Sequence, residues 1–118
     1  MMEMTRSNIA MQYQQITMTK GDTVAFNAEI LDQNGDVVVV DSADFICKKK
    51  YEDNDSIFHK SLNAGIQQAE GLLTVRIAPQ DTQEVDAGLY FYDFSIGVGQ
   101  DRYTIMKGVF TIEANCLF

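Results

Sequence analysis

An all-β protein, folded as two packed antiparallel sheets of seven to eight strands, is predicted by three observations. Segments that alternate apolar and polar residues with a period of two recur at roughly ten-residue spacing, as short strands of a sandwich do. Eight glycines and a single proline, Pro79, fall between those segments and mark the turns. A run of alternating large residues, Tyr90, Tyr92, Phe94 and Ile96, follows directly on Asp86-Ala87-Gly88-Leu89. With 118 residues, 46% of them hydrophobic, the chain suits one domain whose core needs no disulfide or metal.

The elements follow in order. Ile16 to Thr19 is a short first strand ending at Lys20-Gly21-Asp22. Thr23 to Leu31 is the second, with Val24, Phe26, Ala28 and Ile30 on one face. Asn34-Gly35 supplies the positive φ of a tight hairpin turn, and Val37 to Val40 resumes as a strand. Ala43 to Tyr51 places Phe45 and Cys47 inward, with Asp44, Ile46, Lys48 and Lys50 on a solvated side; Glu52-Asp53-Asn54-Asp55 turns the chain. Ser56 to Leu62 is a further strand, and the polar stretch Asn63 to Gly71 reads as loop. Leu73, Val75 and Ile77 form the inner face of a strand stopped by Pro79, which has no N–H to continue a ladder. Gln80 to Val85 reads as one helical turn. In immunoglobulin-like sandwiches a tyrosine opening the penultimate strand hydrogen-bonds back to the preceding corner, and Asp86-Ala87-Gly88-Leu89-Tyr90 has that pattern. Arg102 to Glu113 is the last strand, with Met106, Phe110 and Ile112 on one parity. The expected inner residues are Val24, Phe26, Ile30, Phe45, Val75, Ile77, Tyr90, Tyr92, Phe94 and Phe110. Residues 1–13 form an N-terminal arm, 14–113 the sandwich and 114–118 a loose tail.

Nine basic against seventeen acidic residues give a net charge of −8. Such a field repels nucleic acid and anionic membrane alike. The longest aliphatic run is Val37 to Val40, far short of the roughly 18 apolar residues of a spanning helix. The opening Met1 to Gln15 lacks the apolar core of a signal peptide, which points to cytoplasmic synthesis and reduced cysteines.

No pattern of residues carries catalytic, cofactor or metal chemistry, so no site residue is assigned and a non-enzymatic protein is expected. His59 is the only histidine, and neither Cys47 nor Cys116 sits in a nucleophile motif. Cys47 shares the parity of Phe45 and reads as a small core residue, whereas Cys116 falls in the tail. Asp32, Asn34 and Asp36 resemble a calcium loop, but the glycine comes too early and no glutamate closes the frame. Glu52, Asp53 and Asp55 make an acidic turn without a defined cage. Lys48-Lys49-Lys50 alternates faces on a strand and cannot present a continuous phosphate track. Carbohydrate recognition is the alternative function. Against it stand the inward parity of most aromatics and the absence of tryptophan. Met1, Met2, Met4, Ile9 and Met11 make the arm apolar-leaning and suited to an adaptable interface, added as a strand to an open sheet edge.

The order and spacing of Ile16-Thr17-Met18-Thr19-Lys20-Gly21-Asp22-Thr23, Asp32 to Asp36, Ala43-Asp44-Phe45 and Asp86-Ala87-Gly88-Leu89-Tyr90 resemble a recurring phage module. It is the immunoglobulin-like N-terminal domain of upper baseplate proteins from tailed phages and prophages. The likeness covers about residues 14 to 113 and ends at the pair Ile112-Glu113. It implies a non-enzymatic tail or baseplate component, synthesised in the bacterial cytoplasm and assembled into a virion. Its partners would be other tail proteins or further copies of itself, with no cofactor.

Overall fold

The computed structural model describes residues 11–32 and 34–118. Among the described residues nine strands and one helical turn follow one another: β1 (Gln12–Tyr13), β2 (Ile16–Thr19), β3 (Val24–Glu29), β4 (Ser42–Lys48), β5 (Phe58–Leu62), β6 (Gly65–Ala69), β7 (Leu72–Ile77), α1 (Pro79–Thr82), β8 (Gly88–Val98) and β9 (Asp101–Glu113). The protein is all-β. The strands form one continuous path in the order β1-β9-β8-β4-β5-β6-β7-β3, with β2 also beside β9.

That path curls back over itself. Phe26, on β3 at one end of the path, packs its ring 5.4 Å from Phe45 on β4 and 6.5 Å from Phe94 on β8. Phe45 is fully buried at the centre and also meets the rings of Phe58, Tyr92 and Phe110. The alternation of β4, β7 and β8 points every second side chain into this core, because successive strand residues face opposite ways. Leu73, Val75 and Ile77 accordingly have no exposed surface.

Eight of the ten expected inner residues are buried: Ile30, Phe45, Val75, Ile77, Tyr90, Tyr92, Phe94 and Phe110. Val24 and Phe26 point inward but stay half-buried, because β3 lies at an open margin of the curled sheet. The tyrosine corner is present. Tyr90 donates its hydroxyl to the carbonyl of Asp86 at 2.5 Å. Tyr90→Phe is expected to lower stability by about 1 kcal/mol, since the buried ring loses its one hydrogen bond to the corner. An unchanged urea midpoint would show that this bond contributes nothing.

Several expectations need correction. The pairing is mixed, not purely antiparallel: β1 and β2 run parallel to β9, and a short parallel step joins β5 to β6. The first pairing depends on Gly108, where a Cβ would lie 2.5 Å from the Gln14 carbonyl oxygen. Only a glycine lets the strip between β1 and β2 approach so closely. Asn63 to Gly71 is not loop, for Asn63 at φ 69° turns the chain and β6 follows, burying Ile66. Val37 to Val40 is not a strand but a single bridge, Leu31 to Val37. The Gln68 side chain occupies its backbone instead, accepting from Val40 N and donating to Val40 O.

A bulge between β8 and β9 shifts the register after Phe94, so Ile105 turns inward and Met106 is only half-buried. The parity read from Met106 to Ile112 therefore breaks at that point. The tail is seated. Asn115 donates to the Lys20 carbonyl, and the Phe118 ring covers Gly21. Of the arm, Met1, Met2, Met4 and Ile9 lie outside the described residues, while Gln12 and Tyr13 pair with Met106 and Lys107 of their own β9. No helix among the described residues is long and apolar enough to cross a membrane.

Candidate functional site

Two regions of the surface bring together groups that sequence reading leaves apart. The first is the outer face of the β9-β8-β4-β5 portion of the sheet. Register aligns Lys107, Asp93, Ile46 and His59 across it, and residues directly opposite in neighbouring strands share a face. One step along, Asp44 stands opposite Ser95 and Ser61. His59 Nε2–H donates to Asp44 Oδ1 at 2.8 Å, and Arg102 reaches Ser95 Oγ at 3.1 Å and Asp44 Oδ2 at 3.4 Å. A Cβ at Gly97 would collide with the Ser42 hydroxyl oxygen but only touch the guanidinium, whose Nη1 would lie 3.7 Å away.

The chemistry of this cluster follows from its order. Asp44 sits between His59 and Arg102, and the Ser95 hydroxyl faces the cation, not the imidazole. No base stands beside that hydroxyl in the arrangement that activates a serine. Both His59 and Arg102 are about half exposed, so their attraction to Asp44 is screened by solvent. His59 is thus a surface strand residue, as its sequence surroundings suggest. Its partner Asp44, and through Asp44 the Arg102–Ser95 pair, come from strand register, which leaves no local mark in the sequence.

Beside this cluster, Tyr51 lies over Phe91 with ring centroids 5.0 Å apart, and Lys107 Nζ stands 4.7 Å above the Tyr51 ring. Tyr13, on β1, is strongly exposed at 77%. Burial, and then the neighbouring Asp93 carboxylate, push the Tyr51 phenol upward.

The second region is a groove of about 500 Å³ between β3 and the strip formed by β1 and β2. Val24, Phe26 and Ala28 of β3 face Ile16, Ile105 and Met106 across it, and Gln12, Gln14 and Gln15 form a polar rim. Tyr92 fixes the far wall by donating its hydroxyl to the Gln14 carbonyl at 2.6 Å.

The other sequence candidates are occupied by local structure. Asp32 Oδ1 accepts from the amides of Asn34 and Asp36 at 2.8 and 3.0 Å, and Gly35 at φ 84° completes the turn. Its carboxylate is spent on backbone, which is the behaviour of an aspartate turn. In the acidic turn, Asp53 accepts from Lys50 N with its carboxylate and from Lys48 Nζ with its carbonyl. Lys49 instead stands 4.9 Å above the Tyr90 ring, so the three lysines diverge. Among the described residues no three His, Cys, Asp or Glu side chains converge as a metal would require.

Both cysteines are free thiols, Cys47 buried and Cys116 exposed. Burial pushes the Cys47 thiol up to about 12 and the Tyr92 phenol likewise to about 12. Above pH 9 the unfolded chain therefore loses protons that the folded chain keeps. Stability, full below that pH, should fall as pH rises toward 12, by at most about 1.4 kcal/mol per pH unit for the thiol. Urea midpoints at pH 7.5 and 10.5 check this, and Cys47→Ala should flatten the decline. An identical decline in the variant would remove the thiol as its source.

No family model matches the sequence, and no curated protein is similar to it.

Proposed function

We propose that the chain is an immunoglobulin-like β-sandwich that serves as a non-enzymatic structural component of a phage or prophage tail or baseplate. Its role is protein–protein assembly, with other tail proteins or further copies of itself as partners, after synthesis in the bacterial cytoplasm. Support for the sandwich comes from the Tyr90–Asp86 corner and from the packing of β3 against β4 and β8. The phage assignment rests on the order of the motifs described above. The observation that carries the assembly role is the open groove beside β3, whose inward apolar residues remain accessible to a partner. A sheet edge with accessible apolar side chains is a recognition surface for an extended backbone.

The test is co-sedimentation of the purified chain with each tail protein encoded beside its gene. Comigration with at least one of them is expected, and comigration with none defeats the reading. The second reading, an adhesion or carbohydrate-binding module, is favoured by the exposed rings of Tyr13 and Tyr51 flanking Lys107. Binding to an array of glycans that Tyr51→Ala abolishes would establish it in place of the first.

A further inference from the structure

The two strands of the β3–β7 pair are covered very unequally. Leu73, Val75 and Ile77 of β7 have no exposed surface, while their register partners Ala28, Phe26 and Val24 remain half-buried. Among the described residues β3 pairs only with β7, and no backbone group of Val24–Glu29 takes a second backbone partner. In an antiparallel ladder every second residue turns its N–H and C=O away from the neighbouring strand. β3 therefore presents donors and acceptors along the groove of about 500 Å³, beside a floor of accessible apolar side chains.

Charge selects the occupant. Among the described residues that line the groove, Glu29 alone is charged. It is exposed at the end of β3, and none of the ion pairs among the described residues includes it. The chain as a whole carries −8, so its wider field also draws a cationic segment and opposes an acidic one. A second copy of the chain brings the same negative charge and is opposed in the same way.

Parity fixes where the cation sits. Directly opposed residues of neighbouring strands share a face, and Glu29 alternates with the inward set Val24, Phe26 and Ala28. A strand added to β3 thus turns one set of side chains inward, against that set and the far wall at Ile16, Ile105 and Met106. Its alternate set points outward, where a lysine or arginine stands opposite Glu29.

We propose that the groove receives one extended segment of a partner protein, added as a strand to β3, with apolar side chains turned inward and a basic side chain paired with Glu29. This rests on the assembly reading and gives it a partner of defined chemistry.

The probe is the blocked heptapeptide Lys-Val-Thr-Val-Thr-Val-Lys, which brings a lysine toward Glu29 whichever way it runs. Its acidic counterpart is Glu-Val-Thr-Val-Thr-Val-Glu. Titration calorimetry with the full chain at low ionic strength should show the lysine peptide binding about tenfold more tightly. Amide hydrogen exchange over Val24–Glu29 should slow when it binds, with the β8–β9 amides unchanged. Glu29→Lys, a substitution at an exposed position, should reduce the preference by about threefold or more. Three results overturn the proposal: no binding of the lysine peptide at millimolar concentration, binding without protection of β3, or an undiminished preference in Glu29→Lys. Binding that appears only in a chain lacking residues 1–10 overturns it as well, because the occupant would then belong to the chain itself. So does a dimeric mass that the peptide splits, because the occupant would be a second copy. Failure with the peptide alongside comigration with a tail protein removes this occupant and leaves the assembly reading standing. Comigration with no tail protein removes the assembly reading, whatever the peptide does.

Discussion

Phe45→Ala is expected to cost about 3–5 kcal/mol, the range for removing a fully buried aromatic ring. Phe45 has no exposed surface and touches five other rings, those of Phe26, Phe58, Tyr92, Phe94 and Phe110. Those rings arrive from β3, β5, β8 and β9, so the residue joins the β3 end of the curled path to the strands around β4. No single neighbour can move into the space without abandoning its own contacts, and the cavity term is added to the lost transfer energy. Domains of this size have total stabilities of about 5–15 kcal/mol, so the variant should be marginal. Urea unfolding is the measurement. A drop below about 1.5 kcal/mol would mean that the surrounding rings repack freely, which the tight aromatic cluster argues against. Phe45→Leu keeps most of the apolar volume and should fall between the two proteins.

The second large effect is expected at Gly108. A Cβ there would meet the carbonyl oxygen of Gln14 at 2.5 Å and its carbonyl carbon at 3.1 Å. Both are backbone atoms, so no side chain can rotate out of the way. Gly108→Ala should therefore push the strip between β1 and β2 off β9, at about 1–3 kcal/mol for an overpacked site. The bond from Tyr92 to Gln14 and the one from Gln14 N to Lys107 O would be lost with it. Faster amide exchange at Gln14, with exchange in β6 and β7 unaltered, is the expected signature. Unchanged exchange at Gln14 would show that the strip tolerates the methyl group in place.

These effects involve contacts that differ in how far the sequence reveals them. The inward alternation of Phe45 and Cys47, of Leu73, Val75 and Ile77, and of Tyr90 to Ile96 was legible because period two is a local property. The corner at Tyr90 was legible for the same reason, being a bond across four residues. β6 was not, since its only buried apolar residue is Ile66 and its boundaries depend on positive φ at Asn63, Gly65, Glu70 and Gly71. Val37 to Val40 misled in the opposite sense. Its apolar run suggests a strand, but the Gln68 amide takes the backbone groups of Val40. Ile105 displaced Met106 from the inner face because of one extra residue in β9, which no alternation pattern announces.

The candidate site was less legible than the fold. His59 could be placed on a strand surface from its parity, yet Asp44 reaches it, and Arg102 and Ser95 reach Asp44's side of the sheet, only through register between β4, β5, β8 and β9. The groove was less accessible still. It arises because β3 ends the path on one side while β1 and β2 attach at the other end, an arrangement set by pairing partners far apart in the chain.

That attachment of the first strands to the last has a consequence for synthesis. Tyr92 holds a residue 78 positions earlier, and β9, the strand on which β1 and β2 rest, ends at Glu113. While the ribosome is adding β3 to β8, the opening segment has no partner to pair with. The hairpins β6–β7 and β8–β9 are local and can form early, but docking of β1 and β2 waits until β9 itself has left the exit tunnel. Closing so long a loop is slow, and folds dominated by such pairings mature in milliseconds to seconds, not microseconds. Nascent chains should therefore pass through an interval in which the β9 edge is bare, and a chaperone that shields sheet edges would find its substrate then.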